Sequence, residues 1–207
     1  MNKTNTVITI SREFGSGGRA VGKKLAERLN IPFYDRELIE NAAQESGIDE
    51  ATLLEEENKT SKGYYFLGAL GNALGSTMSV FPGSSPSDQA FMIQSNVIRQ
   101  MASEGSCVII GRCADFILQD LDDVISIYLY APLEDRLKRA NEGYGIKDDD
   151  LDEIAKRIDK QRANYYDYYT DRKWGNANNY NLCIDTSKFN IDGCVNIIEA
   201  IVKERKK

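Results

Sequence analysis

The sequence predicts an α/β fold in a single domain spanning 1–207: a five-stranded parallel sheet covered by helices on both faces, a three-layer sandwich. Three observations predict it. Short β-branched runs alternate with stretches whose apolar residues recur every three or four positions. The run Val124–Tyr130 is apolar almost throughout, as in a strand buried on both sides. At 207 residues and 42% apolar, the chain can fill one core and has hardly room for two.

The elements follow in order. Val7–Ile10 is a β-branched strand that ends in the glycine-rich Gly15-Ser16-Gly17-Gly18. Behind it Val21, Leu25 and Leu29 line one face of a helix. Pro32-Phe33-Tyr34 is a brief extended piece, and Asp35 is placed to cap a helix through Leu38, Ile39, Ala42 and Ala43. Residues 61–88, rich in Gly, Ser and Tyr, read as a long loop or flap. Ser87 or Asp88 is expected to cap a helix burying Ala90, Ile93, Val97, Ile98 and Met101, which Gly105 ends. Cys107–Ile110 and Val124–Tyr130 are strands, and Pro132 opens a helix where its missing N–H costs nothing. A long helix from about Asp150 to Tyr169 carries the stripe Leu151, Ile154, Ile158, Tyr165 and Tyr169. Tyr180–Ile184 is the fifth strand, and Cys194, Ile197, Ile198, Ile201 and Val202 line the last helix. Its basic end, Lys203–Lys207, reads as solvated and complements the helix dipole.

Composition excludes much chemistry. Histidine is absent, which removes Ser-His-Asp and Cys-His nucleophiles, imidazole acid–base catalysis and His-ligated zinc. The balance of 26 basic against 32 acidic residues, net −6, argues against a dedicated nucleic-acid binder. No apolar run is long enough for a membrane span, and the N-terminus is expected to carry no signal peptide. Cys107, Cys113, Cys183 and Cys194 lack C-x-x-C spacing and read as reduced thiols, so the expected location is cytoplasmic.

Four places carry candidate chemistry. Ser11-Arg12-Glu13-Phe14-Gly15-Ser16-Gly17-Gly18-Arg19-Ala20 is a strand feeding a glycine loop that opens a helix, the geometry that holds phosphate through backbone N–H groups. The pattern G-x-x-x-x-G-K-[ST] is not met, because Gly18 stands where the lysine falls and Ala20 where the hydroxyl falls. Arg12 and Arg19 flank the glycines and can supply charge. A tight turn needing glycine only for its backbone gives the same pattern. Second, Gly111-Arg112-Cys113-Ala114-Asp115 places an arginine and an aspartate past a strand's C-terminal end, where open α/β sheets bind ligands, although such a pair also ties down helices. Third, Arg136 with Arg139, and Arg157 and Lys156 with Lys160, share helix faces; with Arg162 they suit a polyphosphate, or a solvated face paired with nearby acids. Fourth, Tyr166, Trp174 and the Asn178-Asn179-Tyr180 turn suit a flat ligand or a second chain, while Tyr165 and Tyr169 suit the core.

Taken together, Ile8–Arg19, Ile31–Asp35, Gly111–Asp115 and Tyr180–Thr186 resemble the cytidylate kinase-like family of P-loop nucleoside monophosphate kinases, over nearly the whole chain. The resemblance implies a P-loop kinase sandwich, an acceptor-binding segment near 35–100, a lid near 138–175, and transfer of the γ-phosphoryl from ATP with Mg2+. It implies that Gly15, Ser16, Gly17, Gly18 and Arg19, with Arg12 and Ala20, cradle donor phosphates. It implies that Arg112 meets the acceptor phosphate, that Asp35, Arg36, Asp115 and Arg162 contact substrate, and that Arg136, Arg139 and Arg157 serve the transferred group. The family has Gly-Arg-Asp where this chain has Gly-Arg-Cys113, and an Arg-Asp-rich lid run that thins here to Arg157, Asp159, Lys160 and Arg162, with Gln161 and Asn164 at acceptor positions. Asp35 and Asp115 are the best carboxylates for magnesium or for orienting the acceptor, and the metal ligands stay unassigned.

The expected function is phosphoryl transfer from ATP to CMP or dCMP. Two others stand beside it: a nucleotide-binding sensor or interaction protein on a degenerate P-loop, and a kinase for a non-nucleotide small molecule. The missing lysine favours the sensor and the retained arginines favour the enzyme. Partners are expected to be nucleotides, with neither nucleic acid nor membrane, and Tyr64–Leu67 offers a surface for a homodimer.

Overall fold

The computed structural model describes residues 5–36, 38–39, 86–144 and 151–205. The chain divides into two compact units, Met1–Asp35 with Glu104–Lys207, and Arg36–Ser103. The first unit holds the sheet. Its strands are β1 (Val7–Arg12), β2 (Phe33–Tyr34), β3 (Cys107–Ile110), β4 (Val124–Tyr130) and β5 (Leu182–Asp185), all parallel, in the order β2-β3-β1-β4-β5. The described helices are α1 (Gly18–Leu29), α2 (Pro86–Glu104), α3 (Ala114–Ile117), α4 (Leu133–Tyr144), α5 (Leu151–Thr170) and α6 (Ile191–Arg205). The five-stranded α/β sandwich is therefore as predicted.

Burial follows from the strand sequences. Ile8 and Ile10 of β1, Val108 and Ile110 of β3, and Ile125, Ile127 and Leu129 of β4 meet Val21 and Leu25 of α1 and Cys194, Val195 and Ile198 of α6. These residues close one face of the sheet. In the second unit Ile39, Ile93, Ile98 and Met101 are buried. The cysteines are free, and burial pushes the Cys107 thiol up to about 12. Among the described residues no helix is long and apolar enough to cross a membrane.

Several boundaries differ from expectation for identifiable reasons. β1 runs on to Arg12, because Glu13 N–H still donates to Leu129 O at 3.0 Å. β5 starts at Leu182 instead of Tyr180: the Asn181 side chain accepts the Ser126 N–H at 2.8 Å and so replaces a backbone rung. α2 opens at Pro86, before the expected Ser87 or Asp88 cap, as proline permits in a first turn. The buried stripe of α5 is Leu151, Ala155, Tyr166 and Thr170, so from residue 155 on it lies one position C-terminal to the predicted one. At the end of α6, where Lys203 and Arg205 are exposed as expected, Arg205 also donates to the carbonyls of Asp122 and Val124. The expected helix residues Ala42 and Ala43, most of the 61–88 segment and the Tyr64–Leu67 surface lie outside the described residues.

Candidate functional site

Parallel pairing sends the C-terminal ends of all five strands to one edge, so the loops after β1, β3, β4 and β5 meet there. The glycine loop after β1 is built by its carbonyls. Four in succession are held by side chains: Arg12 O by Arg162 Nη1 at 3.1 Å, Glu13 O by Ser16 Oγ at 2.9 Å, Phe14 O by Arg136 Nη1 at 3.1 Å and Gly15 O by Arg139 Nη1 at 2.9 Å. Gly15 and Gly17 take left-handed backbone at φ 73° and 83°. With the carbonyls so engaged, the N–H groups of Gly15, Gly17 and Gly18 meet no acceptor among the described residues. The twelve-residue α1 begins at Gly18 with no side-chain cap. Such an uncapped helix N-terminus behind a glycine loop favours an anion.

The structure thus gives Arg136, Arg139 and Arg162 definite tasks. Arg136 is buried; besides Phe14 O its guanidinium reaches Ala131 O at 3.0 Å, Asp159 Oδ2 at 2.6 Å and Glu13 Oε2 at 3.4 Å. Arg139 also binds the Thr186 carbonyl at 3.1 Å, fastening the loop to the end of β5. Both were expected at the transferred phosphate, and both hold the loop's backbone. Arg157 is exposed on α5. Ser16 is fully buried with its hydroxyl turned into the loop, and Ala20 is exposed.

Arg19 and Asp35 are brought together, Nε and Nη2 lying 2.9 and 2.7 Å from Asp35 Oδ2. Asp35 is buried, whereas 66% of the Arg19 side chain is exposed. Arg36 begins a helical segment in the second unit. Gly111, Arg112 and Cys113 are consecutively left-handed, at φ 69°, 58° and 55°. Two non-glycine residues in that region cost roughly 1 to 2 kcal/mol each, and such strain concentrates at functional sites. The Arg12 guanidinium lies against Gly111, where a Cβ would collide with Nη1. The first two predicted sites are therefore adjacent.

Asp115 is buried and accepts the Tyr166 hydroxyl at 2.7 Å. Burial pushes its carboxyl above the ordinary carboxylate range, and the Tyr166 hydrogen bond pulls part of the way back. A carboxylate with a raised native value destabilises as pH climbs from its ordinary value through the raised one, since the unfolded chain ionises it freely. Asp115→Asn is therefore expected to flatten the fall in thermal midpoint on going upward from about pH 4, measured by unfolding across pH. Parallel wild-type and mutant curves would exclude Asp115 as the source.

Two residues of the fourth predicted site, Tyr166 and Tyr180, belong to the core. Tyr166 is buried, and Tyr180, also buried and with its hydroxyl pushed up to about 12 by burial, stacks on Tyr128 at 5.0 Å. Trp174 meets the Tyr128 ring edge-on at 5.5 Å and donates Nε1–H to Ser11 Oγ at 2.9 Å. These rings seat the end of α5 on β1 and β4, while Trp174 stays half-buried and Asn178 exposed. Tyr165 and Tyr169, expected in the core, are half-buried in edge contact with each other.

Sequence reasoning missed two acids. Asp159 of α5 accepts the Phe14 N–H through Oδ1 at 2.7 Å while binding Arg136 through Oδ2. Glu13 accepts the Ala131 N–H at 3.1 Å; burial raises its carboxyl, against the lowering pull of that N–H and Arg136. An acid inside a loop read as anion-binding was itself a signal, because it demands a cationic partner. The residues fit phosphate at the loop's N–H groups. They do not fit a magnesium site: Ala20 supplies no hydroxyl, Asp35 and Asp115 are committed to Arg19 and Tyr166, and no group of three ligating side chains occurs among the described residues.

The model of the cytidylate kinase-like family matches residues 7–188. The cytidylate kinase of Methanocaldococcus jannaschii is 26% identical over 212 residues, covering 97% of this chain and 99% of that protein. A solved structure of an uncharacterized protein from Eubacterium ventriosum is 29% identical with a TM-score of 0.72, over 96% of this chain and 98% of that one. The shikimate kinase of Acinetobacter baumannii, in a complex with shikimate, is 17% identical with a TM-score of 0.51, over 99% and 97%, a likeness of fold.

Proposed function

The chain belongs to the cytidylate kinase-like family, and from that premise we propose that it transfers the γ-phosphoryl group of ATP to a nucleoside monophosphate, CMP or dCMP. The observation that carries the reading is the glycine loop. Its carbonyls from Arg12 to Gly15 are bound by side chains, and the N–H groups of Gly15, Gly17 and Gly18 stand ready for donor phosphates.

Phosphoryl transfer asks the protein for alignment and for positive charge around the equatorial oxygens. In this reading Arg19, beside Asp35, and Arg112, on its strained turn, are the cations that touch phosphate, with Arg12 between the two loops and Arg157 on the lid helix. Arg136, Arg139 and Arg162 are positioning residues that hold the loop's carbonyls. Asp35, Arg36 and Asp115 border the acceptor region. Magnesium enters with the nucleotide as part of the substrate. The chain acts on small nucleotides in a cytoplasmic setting, and pairing with a second copy belongs to the same proposal.

Arg19→Ala and Arg112→Ala are each expected to lower turnover on the order of a thousandfold while the chain stays folded. Wild-type turnover from either folded variant removes that residue from the site. The deciding experiment for the function is ADP release with magnesium and ATP against the common nucleoside monophosphates. CMP or dCMP is expected to give the highest kcat/KM. ATP binding by calorimetry with no turnover on any acceptor would instead identify a nucleotide sensor, the reading that the missing lysine favours.

A further inference from the structure

An acid stands next to the N–H groups to which the proposed function brings an anion. Asp159 Oδ1 takes the N–H of Phe14, the residue before the first glycine of the loop, at 2.7 Å, and its Oδ2 holds Arg136 Nη1 at 2.6 Å. Arg162, one turn further along α5, binds the Arg12 carbonyl and lies 3.7 Å from Asp159 Oδ1. The same helix thus grips the loop by a carbonyl and an N–H, and one of the two grips is a negative charge. A carboxylate accepting a backbone N–H and an arginine makes the contacts that a phosphate oxygen makes. Polyphosphate seated on the neighbouring N–H groups of Gly15, Gly17 and Gly18 meets that charge at close range, where repulsion is weakly screened.

We propose that Asp159 is a latch: it holds α5 on the glycine loop, competes with phosphate there, and is displaced when phosphate seats. This rests on the glycine loop being the phosphate site. Displacement has a second consequence. It frees one N–H of Arg136 Nη1, whose other N–H stays on the Phe14 carbonyl, and leaves Glu13 as the acid paired with that cation beside the incoming charge. The latch thereby couples the position of α5 to occupancy of the loop. Trp174, the sole tryptophan, reports that position, because its Nε1–H donates to Ser11 Oγ and its ring rests on Tyr128.

The test uses inorganic tripolyphosphate without magnesium, with binding read by calorimetry and by Trp174 emission. Asp159→Asn keeps an acceptor for Phe14 N–H and removes the charge; it is expected to bind the probe at least about tenfold more tightly than wild type. Glu153→Gln, an exposed acid on the same helix, makes the same change in net charge and is expected to shift binding less than about twofold. In the unmodified chain, saturation is expected to change Trp174 emission. Equal affinity of wild type and Asp159→Asn, an equal gain in Glu153→Gln, or saturation without an emission change overturns the latch and leaves the phosphate site standing. Absence of binding by wild type and Asp159→Asn alike overturns the phosphate site itself, and the latch with it.

Discussion

Arg136→Ala is expected to lower stability by about 3 to 5 kcal/mol, the cost of removing one partner from a buried ion pair. At this chain length that is a fall in thermal midpoint of roughly 10 °C. The side chain is buried, and four groups depend on it. Two are carbonyls, Phe14 O and Ala131 O; two are carboxylates, Asp159 and Glu13. Without the guanidinium the two acids face each other with no cation between them, and Asp159 already raises Glu13. The sign of the pH dependence follows. Protonating either acid relieves the repulsion, so the deficit relative to wild type narrows on acidification and is widest at neutral pH. Arg136→Lys restores charge and loses the planar fork, so it recovers part of the stability. A stable Arg136→Ala at neutral pH, or a deficit independent of pH, would show that the network does not carry the loop.

How much of this was legible in the sequence differs between fold and site. The strands were legible because Cys107–Ile110 and residues 124–129 are buried on both sides and say so in consecutive residues. The Gly-Ser-Gly-Gly loop was legible because left-handed backbone at Gly15 and Gly17 selects the residue type. The tasks of the arginines were not. The three-residue spacing of Arg136 and Arg139 places both on one face of α4, and that face does meet the glycine loop. Whether a guanidinium there meets a ligand or a carbonyl depends on which way the loop's peptide units turn, and that is settled by partners more than a hundred residues away. The α5 stripe failed for a related reason. Tyr165 and Tyr166 are equally good apolar candidates by periodicity, but only Tyr166 finds Asp115 for its hydroxyl, and a buried hydroxyl without a partner is costly. Asp159 was visible as part of a charged run, where an acid between cations reads as surface pairing. Its hydrogen bond to a loop N–H exists only in three dimensions.

Gly15→Ala is expected to be the most damaging single-methyl change, costing about 2 to 4 kcal/mol and at least ~100-fold in ATP affinity. Two terms add. At φ 73° any side chain carries left-handed strain of about 1 to 2 kcal/mol. The new methyl would also collide with the Arg136 carbonyl oxygen and lie 2.9 Å from its carbon and 3.1 Å from its Cα. Those are backbone atoms inside α4, so the loop itself must move. Movement breaks the Arg139 hydrogen bond to Gly15 O and strains the Arg136 hydrogen bond to Phe14 O, the contacts that leave the loop's N–H groups unpaired. Gly105→Ala separates the two terms, because Gly105 sits at φ 152° with nothing within 4 Å of its Cβ position. It is expected to cost only the backbone strain and to leave nucleotide affinity unchanged. Gly15→Asn separates them a second way, since asparagine tolerates left-handed backbone better than alanine. If strain dominated, asparagine would recover much of the loss. The approach of the Arg136 backbone predicts that it recovers almost none, in either unfolding free energy or ATP affinity by calorimetry. A folded Gly15→Asn chain with near-native ATP affinity would mean that the loop yields without loss, and that phosphate binding does not depend on the hold of its carbonyls.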